Sequence, residues 1–169
     1  LAAMWPITLS PDARNWFLEN IAEGRIGSGT FTFAGNLNDI ELRDGRAYMR
    51  DEMLSLRVPY ENLVMRTLGD LPPVFGLDGV IEVTGRSLRM TGTGGVGRLE
   101  TGETIEVSRA HFQIDDHAQP NPDAWLELDM AGPAAGFVNM ARLDPIDLQE
   151  DLPFEAGDLT GSVAMSTRV

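Results

Sequence analysis

Residues 124–130 read Ala-Trp-Leu-Glu-Leu-Asp-Met, and the alternation of Leu126, Leu128 and Met130 with Glu127 and Asp129 decides the fold class. A side-chain period of two sends one set to each face of a β-strand. The same period recurs outward from this stretch. Leu54, Leu56 and Val58 alternate with Ser55 and Arg57, and Ile81 and Val83 with Glu82 and Thr84. Phe31 and Phe33 alternate with Thr30 and Thr32, and Val163 and Met165 with Ser162 and Ser166. Leu88 to Met90, Ile105 with Val107, and the stretch around His111 read as further strands. Strands with one apolar and one polar face belong to antiparallel sheets. Turn signals separate them at Asp44-Gly45, Asp78-Gly79, Gly85-Arg86 and residues 119–122. The glycine-rich residues 92–102 read as a mobile loop.

Two helices interrupt the pattern. Ser10 suits an N-cap, Pro11 the first helical position, and Asp12 the positive helix end. Ala13, Trp16, Phe17 and Ile21 form an apolar stripe, and Gly24 is the expected stop. A shorter helix is expected over residues 133–142, with Phe137, Val138 and Ala141 on one face. No domain boundary is visible, so residues 1–169 read as a single β-rich unit.

Composition narrows function by exclusion. The 169 residues carry 13 basic and 26 acidic side chains, a net charge of −13, and every base is arginine. That charge repels nucleic-acid phosphates and anionic headgroups, so nucleic acid is not an expected partner and no direct electrostatic membrane contact is expected. Without lysine there is no P-loop lysine, Schiff base or Ser-Lys dyad. Without cysteine there is no disulfide, thiol nucleophile or Cys-ligated zinc.

The remaining motifs are weak. Gly92-Thr93-Gly94-Gly95-Val96-Gly97 spells G-x-G-x-x-G, but residues 98–107 read as loop and strand where a dinucleotide site needs a helix. His111, Asp115, Asp116 and His117 match no metal-ligand spacing and read as a strand end with an Asp-rich turn, so a chelator is not expected to shift the melting temperature. No serine sits in a nucleophile elbow, and Glu150-Asp151 is an ordinary coincidence in so acidic a chain. No catalytic residue, metal or cofactor is therefore expected. Six of the 8 methionines (Met49, Met53, Met65, Met90, Met130 and Met165) mostly follow the strand patterns. They suit either core filling or an adaptable apolar surface for acyl chains.

Trp5-Pro6, the run Leu9-Ser10-Pro11-Asp12-Ala13-Arg14-Asn15-Trp16, then Glu19-Asn20-Ile21 and Gly24-Arg25-Ile26, resemble the start of a block in the AsmA-like superfamily. The similarity is to its YhdP-type branch of large envelope proteins. It continues through Leu71-Pro72-Pro73, Gly76-Leu77-Asp78-Gly79, Ile81-Glu82-Val83-Thr84-Gly85, Gly132-Pro133-Ala134-Ala135 and Gly157-Asp158-Leu159-Thr160-Gly161-Ser162-Val163. Residues 92–102 depart from it by their extra glycines.

The resemblance implies a curled antiparallel sheet, an open trough with an apolar interior, in a protein anchored in the inner membrane and projecting through the periplasm. It implies phospholipid acyl chains and neighbouring segments of the same long protein as partners, membrane contact only through parts outside this segment, and transport of phospholipid between inner and outer membranes. It offers no catalytic residues. The alternative is a structural or assembly module of the envelope without lipid binding. The alternation agrees physically, because two short helices cannot cover so many one-sided strands. Candidate trough-lining residues are Leu54, Leu56, Val58, Leu63, Met65, Ile81, Val83, Leu88, Met90, Phe112, Ile114, Leu126, Leu128 and Met130. If the chain is cut from a longer sheet, its edge strands are expected to self-associate.

Overall fold

The computed structural model describes residues 11–67, 69–148 and 152–168, with the side chains of 11–13 and 16 left aside. The chain is mainly β, built on one large antiparallel sheet. Helix α1 (Pro11–Asn20) runs straight into β1 (Ile21–Ile26). Then follow β2 (Thr30–Phe33), the hairpin β3 (Glu41–Arg43) and β4 (Arg46–Tyr48), and the long strands β5 (Leu54–Met65) and β6 (Val74–Thr84). After β7 (Leu88–Thr93), β8 (Gly95–Arg98), β9 (Thr104–Ile114) and β10 (Ala124–Pro133) come α2 (Ala134–Ala141) and β11 (Ser162–Arg168). The sheet order is β1-β5-β6-β7-β9-β10-β11, with β2 also on β5 and β8 bridging β6 and β9, while β3 and β4 pair apart.

Residues that alternate along each strand line up across it. Val58, Ile81, Met90, Phe112 and Leu126 form one row, because Val58 pairs with Ile81, Ile81 with Met90, Met90 with Phe112, and Phe112 with Leu126. Leu56, Val83, Leu88 and Ile114 form the next. The opposite face carries ion pairs such as Arg57–Glu82 and Arg109–Asp129. Most of these apolar residues join one core cluster, to which Phe17 belongs and against which Phe137 and Met140 pack.

A line of irregularities crosses this sheet at one level. Asn62, in the left-handed region at φ 51°, sits where the β5–β6 register shifts between Tyr60 and Leu63. Gly76 and Gly94, at φ 76° and 77°, divide the pairing of β6 with β7 from that with β8. The β9–β10 register shifts between Asp129 and Met130, again at this level. Each register shift bends its own strand and raises its local twist.

Three sequence expectations are corrected here. Gly24 does not stop a helix: Ile21 already belongs to β1, and Gly24, at φ 152°, lies in that strand with its α-carbon against Leu63. Asp78-Gly79 is no turn but lies within β6. Residues 92–102 are not one mobile loop: they contribute the end of β7, a tight turn at Gly94, all of β8, and a second turn before β9. Glycine is required there because Tyr60 lies across the sheet. A Cβ on Gly92 would stand 2.7 Å from Tyr60 Oη, and one on Gly79, across in β6, would stand 2.6 Å from the same oxygen. The remaining turn signals hold, with Asp44 and Gly45 both at positive φ in the β3–β4 hairpin. Ser10, Trp5-Pro6 and Glu150-Asp151 lie outside the described residues, as do the side chains of Ala13 and Trp16.

Candidate functional site: the apolar face and its openings

The candidate trough residues come together on one face of the sheet. Leu54, Leu63, Ile81, Val83, Leu88, Met90, Ile114 and Met130 belong to the core cluster, with Leu56, Met65, Phe112 and Leu128 packed against it. Val58 is buried and Leu126 half-buried, both outside that cluster. Burial peaks in the middle of the sheet: Leu88 is 0% exposed, and Ile81 and Val83 are 1% exposed. The centre of the face is thus filled by its own side chains. Tyr60 crosses it, 1% exposed, and donates its hydroxyl to Thr91 O at 2.7 Å. Burial, with Asp78 nearby, pushes that phenol's pKa well up, so it stays a neutral donor.

The face opens at its two ends. Toward β11, Val163 and Met165 are 39% and 37% exposed. Toward β1, a cavity of about 290 Å³ lies between α1, β1 and the core. Phe17 and Leu18 line it from the helix, Ile21 and Ile26 from β1, and Leu63 and Ile81 from the sheet. Two charged residues, Arg14 and Glu23, also line it. Arg14 Nε is buried there with no hydrogen-bond partner among the described residues. The cavity exists because β1 is irregular: its register with β5 shifts between Ile21 and Glu23 and again between Glu23 and Arg25. Its volume is roughly twice that of an apolar cavity able to hold benzene and falls at the low end of small-molecule sites. Sequence reasoning placed Leu63 and Ile81 in a lipid path. It missed Leu18 and Ile26, because the strand following Asn20 was hidden behind Gly24.

The histidine cluster does not converge. His111 sits on the polar face of β9, edge-on to Trp125 with ring centroids 4.6 Å apart, and 3.8 Å from Glu127. His117 is fully buried beneath the β6–β7 turn, its Nε2 3.2 Å from Thr84 O. With a carbonyl as partner, Nε2 carries the proton and Nδ1 is an acceptor with no partner among the described residues. Burial depresses the His117 pKa, against the weaker pull of Thr84 O, Asp116 and Asp51. Asp116 itself is spoken for: it accepts from Arg86, Ala118 N and Gln119, and these bonds outweigh burial and hold its carboxyl below the usual range. Among the described residues, no group of three or more His, Asp or Glu side chains is placed to hold a metal ion, and no helix is long and apolar enough to cross a membrane.

Compared with known proteins, the chain matches no protein-family model, no curated protein and no solved structure.

Proposed function

We propose that this chain is an acyl-chain-binding segment of a periplasmic, inner-membrane-anchored protein of the AsmA-like type, in which a curled sheet offers its apolar face to phospholipid tails. One observation carries the reading: an apolar face continuous across the large sheet, with a cavity of about 290 Å³ opening onto it beneath α1. Two further features support the curl. The irregularities at Asn62, Gly76, Gly94 and Asp129/Met130 align across the sheet. In addition, Leu88 is fully buried while α1 packs mainly on β1, and α2 against β9, β10 and β11. Each methylene withdrawn from water into such a site contributes about 0.8 kcal/mol, so a short length of chain suffices for binding. The headgroup stays in water outside the cavity.

A fluorescent fatty acid titrated into the protein tests this. Leu18 is half exposed at the cavity mouth, so Leu18→Trp narrows the entrance without touching the core. Saturable binding that weakens at least tenfold in Leu18→Trp is the expected result. Binding absent in the wild type, or unchanged in the variant, sinks the cavity as the acyl site.

The filled centre of the face favours a second reading. If the interior is packed throughout, the segment is a structural or assembly module of the envelope. An apolar dye then finds no binding site on it at all.

A further inference from the structure

Three turns meet at the end of the sheet next to Leu88 and Ile114, the last pair of β7 with β9. The β6–β7 turn, residues 84–87, lies between the other two. The 3-10 turn Asp51–Met53 holds it from one side: Gly85 N donates to Asp51 O and Arg86 N to Asp51 Oδ1, both at 3.1 Å, and Thr84 Oγ1 donates to the same carboxylate. The β9–β10 turn holds it from the other. His117 N donates to Arg86 O at 2.8 Å, His117 Nε2 lies 3.2 Å from Thr84 O, and Asp116 accepts from the Arg86 guanidinium. That last pair is open to water, with the arginine side chain 55% exposed, so it contributes little. The fully buried imidazole is the interior part of the contact.

The charged groups around this ring are already engaged. Asp51 accepts from Thr84 and from Arg86 N, and Asp116 from Arg86, Ala118 N and Gln119. The Arg86 guanidinium lies on Asp116, Arg50 pairs with Glu52 in water, and Asp115 accepts from Gln113. A proton added at Nδ1 would therefore be a buried donor with no acceptor among the described residues. Water supplies that acceptor only if the ring leaves its pocket, and the turn that carries the ring leaves with it. We propose that His117 is a proton-operated latch: taking up a proton releases the β9–β10 turn from the β6–β7 turn and uncovers the end of the apolar face at Leu88 and Ile114, while the rest of the sheet stays folded. The latch does not depend on what the apolar face binds. In the released turn the imidazole titrates at its ordinary value of ~6.5, whereas burial holds it lower in the closed form. The released form binds more protons between those two values. Its population therefore rises below about pH 6.5, by up to about tenfold per pH unit, until the closed form is protonated as well.

Amide hydrogen exchange between pH 7 and 5, corrected for the intrinsic rate, tests the proposal, because it reports local opening residue by residue. In the wild type, protection of the amides at positions 86 and 117 should fall by up to about tenfold per pH unit below about pH 6.5, while amides at the centres of β6 and β9 change far less. His117→Gln keeps a donor for Thr84 O but takes no charge, so protection at both positions should stay level over the same range. Replacing the other histidine of the chain, His111→Gln, should leave the wild-type fall in place. The His117 ring resonances of the wild type add a measurement that needs no variant, with a titration midpoint below ~6.5 expected. Protection at positions 86 and 117 that ignores pH in the wild type overturns the proposal. So does a fall shared equally by the strand centres, which is global unfolding, a fall that persists in a folded His117→Gln, or an ordinary midpoint for the His117 ring.

Discussion

The two edges of the sheet are built on opposite plans. At one edge β1 departs from β5 twice in six residues, carries Gly24 at φ 152°, and follows directly on α1. At the other, β11 follows β10 without a break. Irregularity at β1 spoils the row of backbone groups a further strand would need, and leaves a cavity behind it. Regularity at β11 leaves no cavity, but it leaves that row of groups intact. An edge can admit a small apolar molecule or accept another strand. The local register decides which, because the same backbone groups cannot be both displaced and aligned.

The largest expected effects come from the region between the edges. Leu88 is fully buried, so Leu88→Ala should cost about 2–5 kcal/mol in denaturant unfolding. Met165→Ala, on the β11 edge, should stay within about 0.5 kcal/mol of wild type. Equal losses at the two positions would mean that β11 is packed as tightly as the centre. Gly24→Ala sharpens the β1 side. Its new methyl would stand 2.8 Å from Leu63 Cδ1, at a φ that disfavours side chains. A loss of about 1–3 kcal/mol is expected. Gly157→Ala, with open space around its α-carbon, should be close to neutral by the same assay.

A smaller effect is set by pH. His117 is neutral and buried, with its pKa below the ordinary value of ~6.5. As pH falls through that ordinary value the unfolded chain takes up a proton that the folded chain does not. Stability therefore falls with acidification, and this contribution levels off only below the depressed folded pKa. Replacing the imidazole by a neutral amide, His117→Gln, should flatten the slope of unfolding free energy against pH between about 7 and 5. An unchanged slope would show that His117 titrates normally. The smallest effect belongs to the outer face. Arg168→Ala removes a cation–π contact and an exposed ion pair, worth no more than about 1 kcal/mol together.

What could be read from the sequence was the alternation. Leu54 to Val58, Ile81 with Val83, and Leu126 to Met130 fall on one face as their period requires, and α2 covers most of the expected stretch. What escaped was every glycine whose role is set by a distant side chain. Gly79 and Gly92 look like turn residues until Tyr60 is laid across them. Gly24 looks like a helix stop until Leu63 is placed against it. The row of bulges could not be read either, since a bulge is a relation between two strands far apart in the chain. The cavity follows from one such relation, the broken register of β1 with β5, so its lining was legible at Phe17 and Ile21 of the apolar stripe and at Leu63 and Ile81 of the strands, but not at Leu18 or Ile26.

The most direct test of acyl-chain binding is native mass spectrometry of the purified chain, with lipid extraction from the same sample. The account predicts a population carrying phospholipid or fatty acid, and its marked depletion in Leu18→Trp with the fold intact. A bare protein mass that added phospholipid leaves unchanged would contradict it, and would identify the apolar face as a packed core with no ligand.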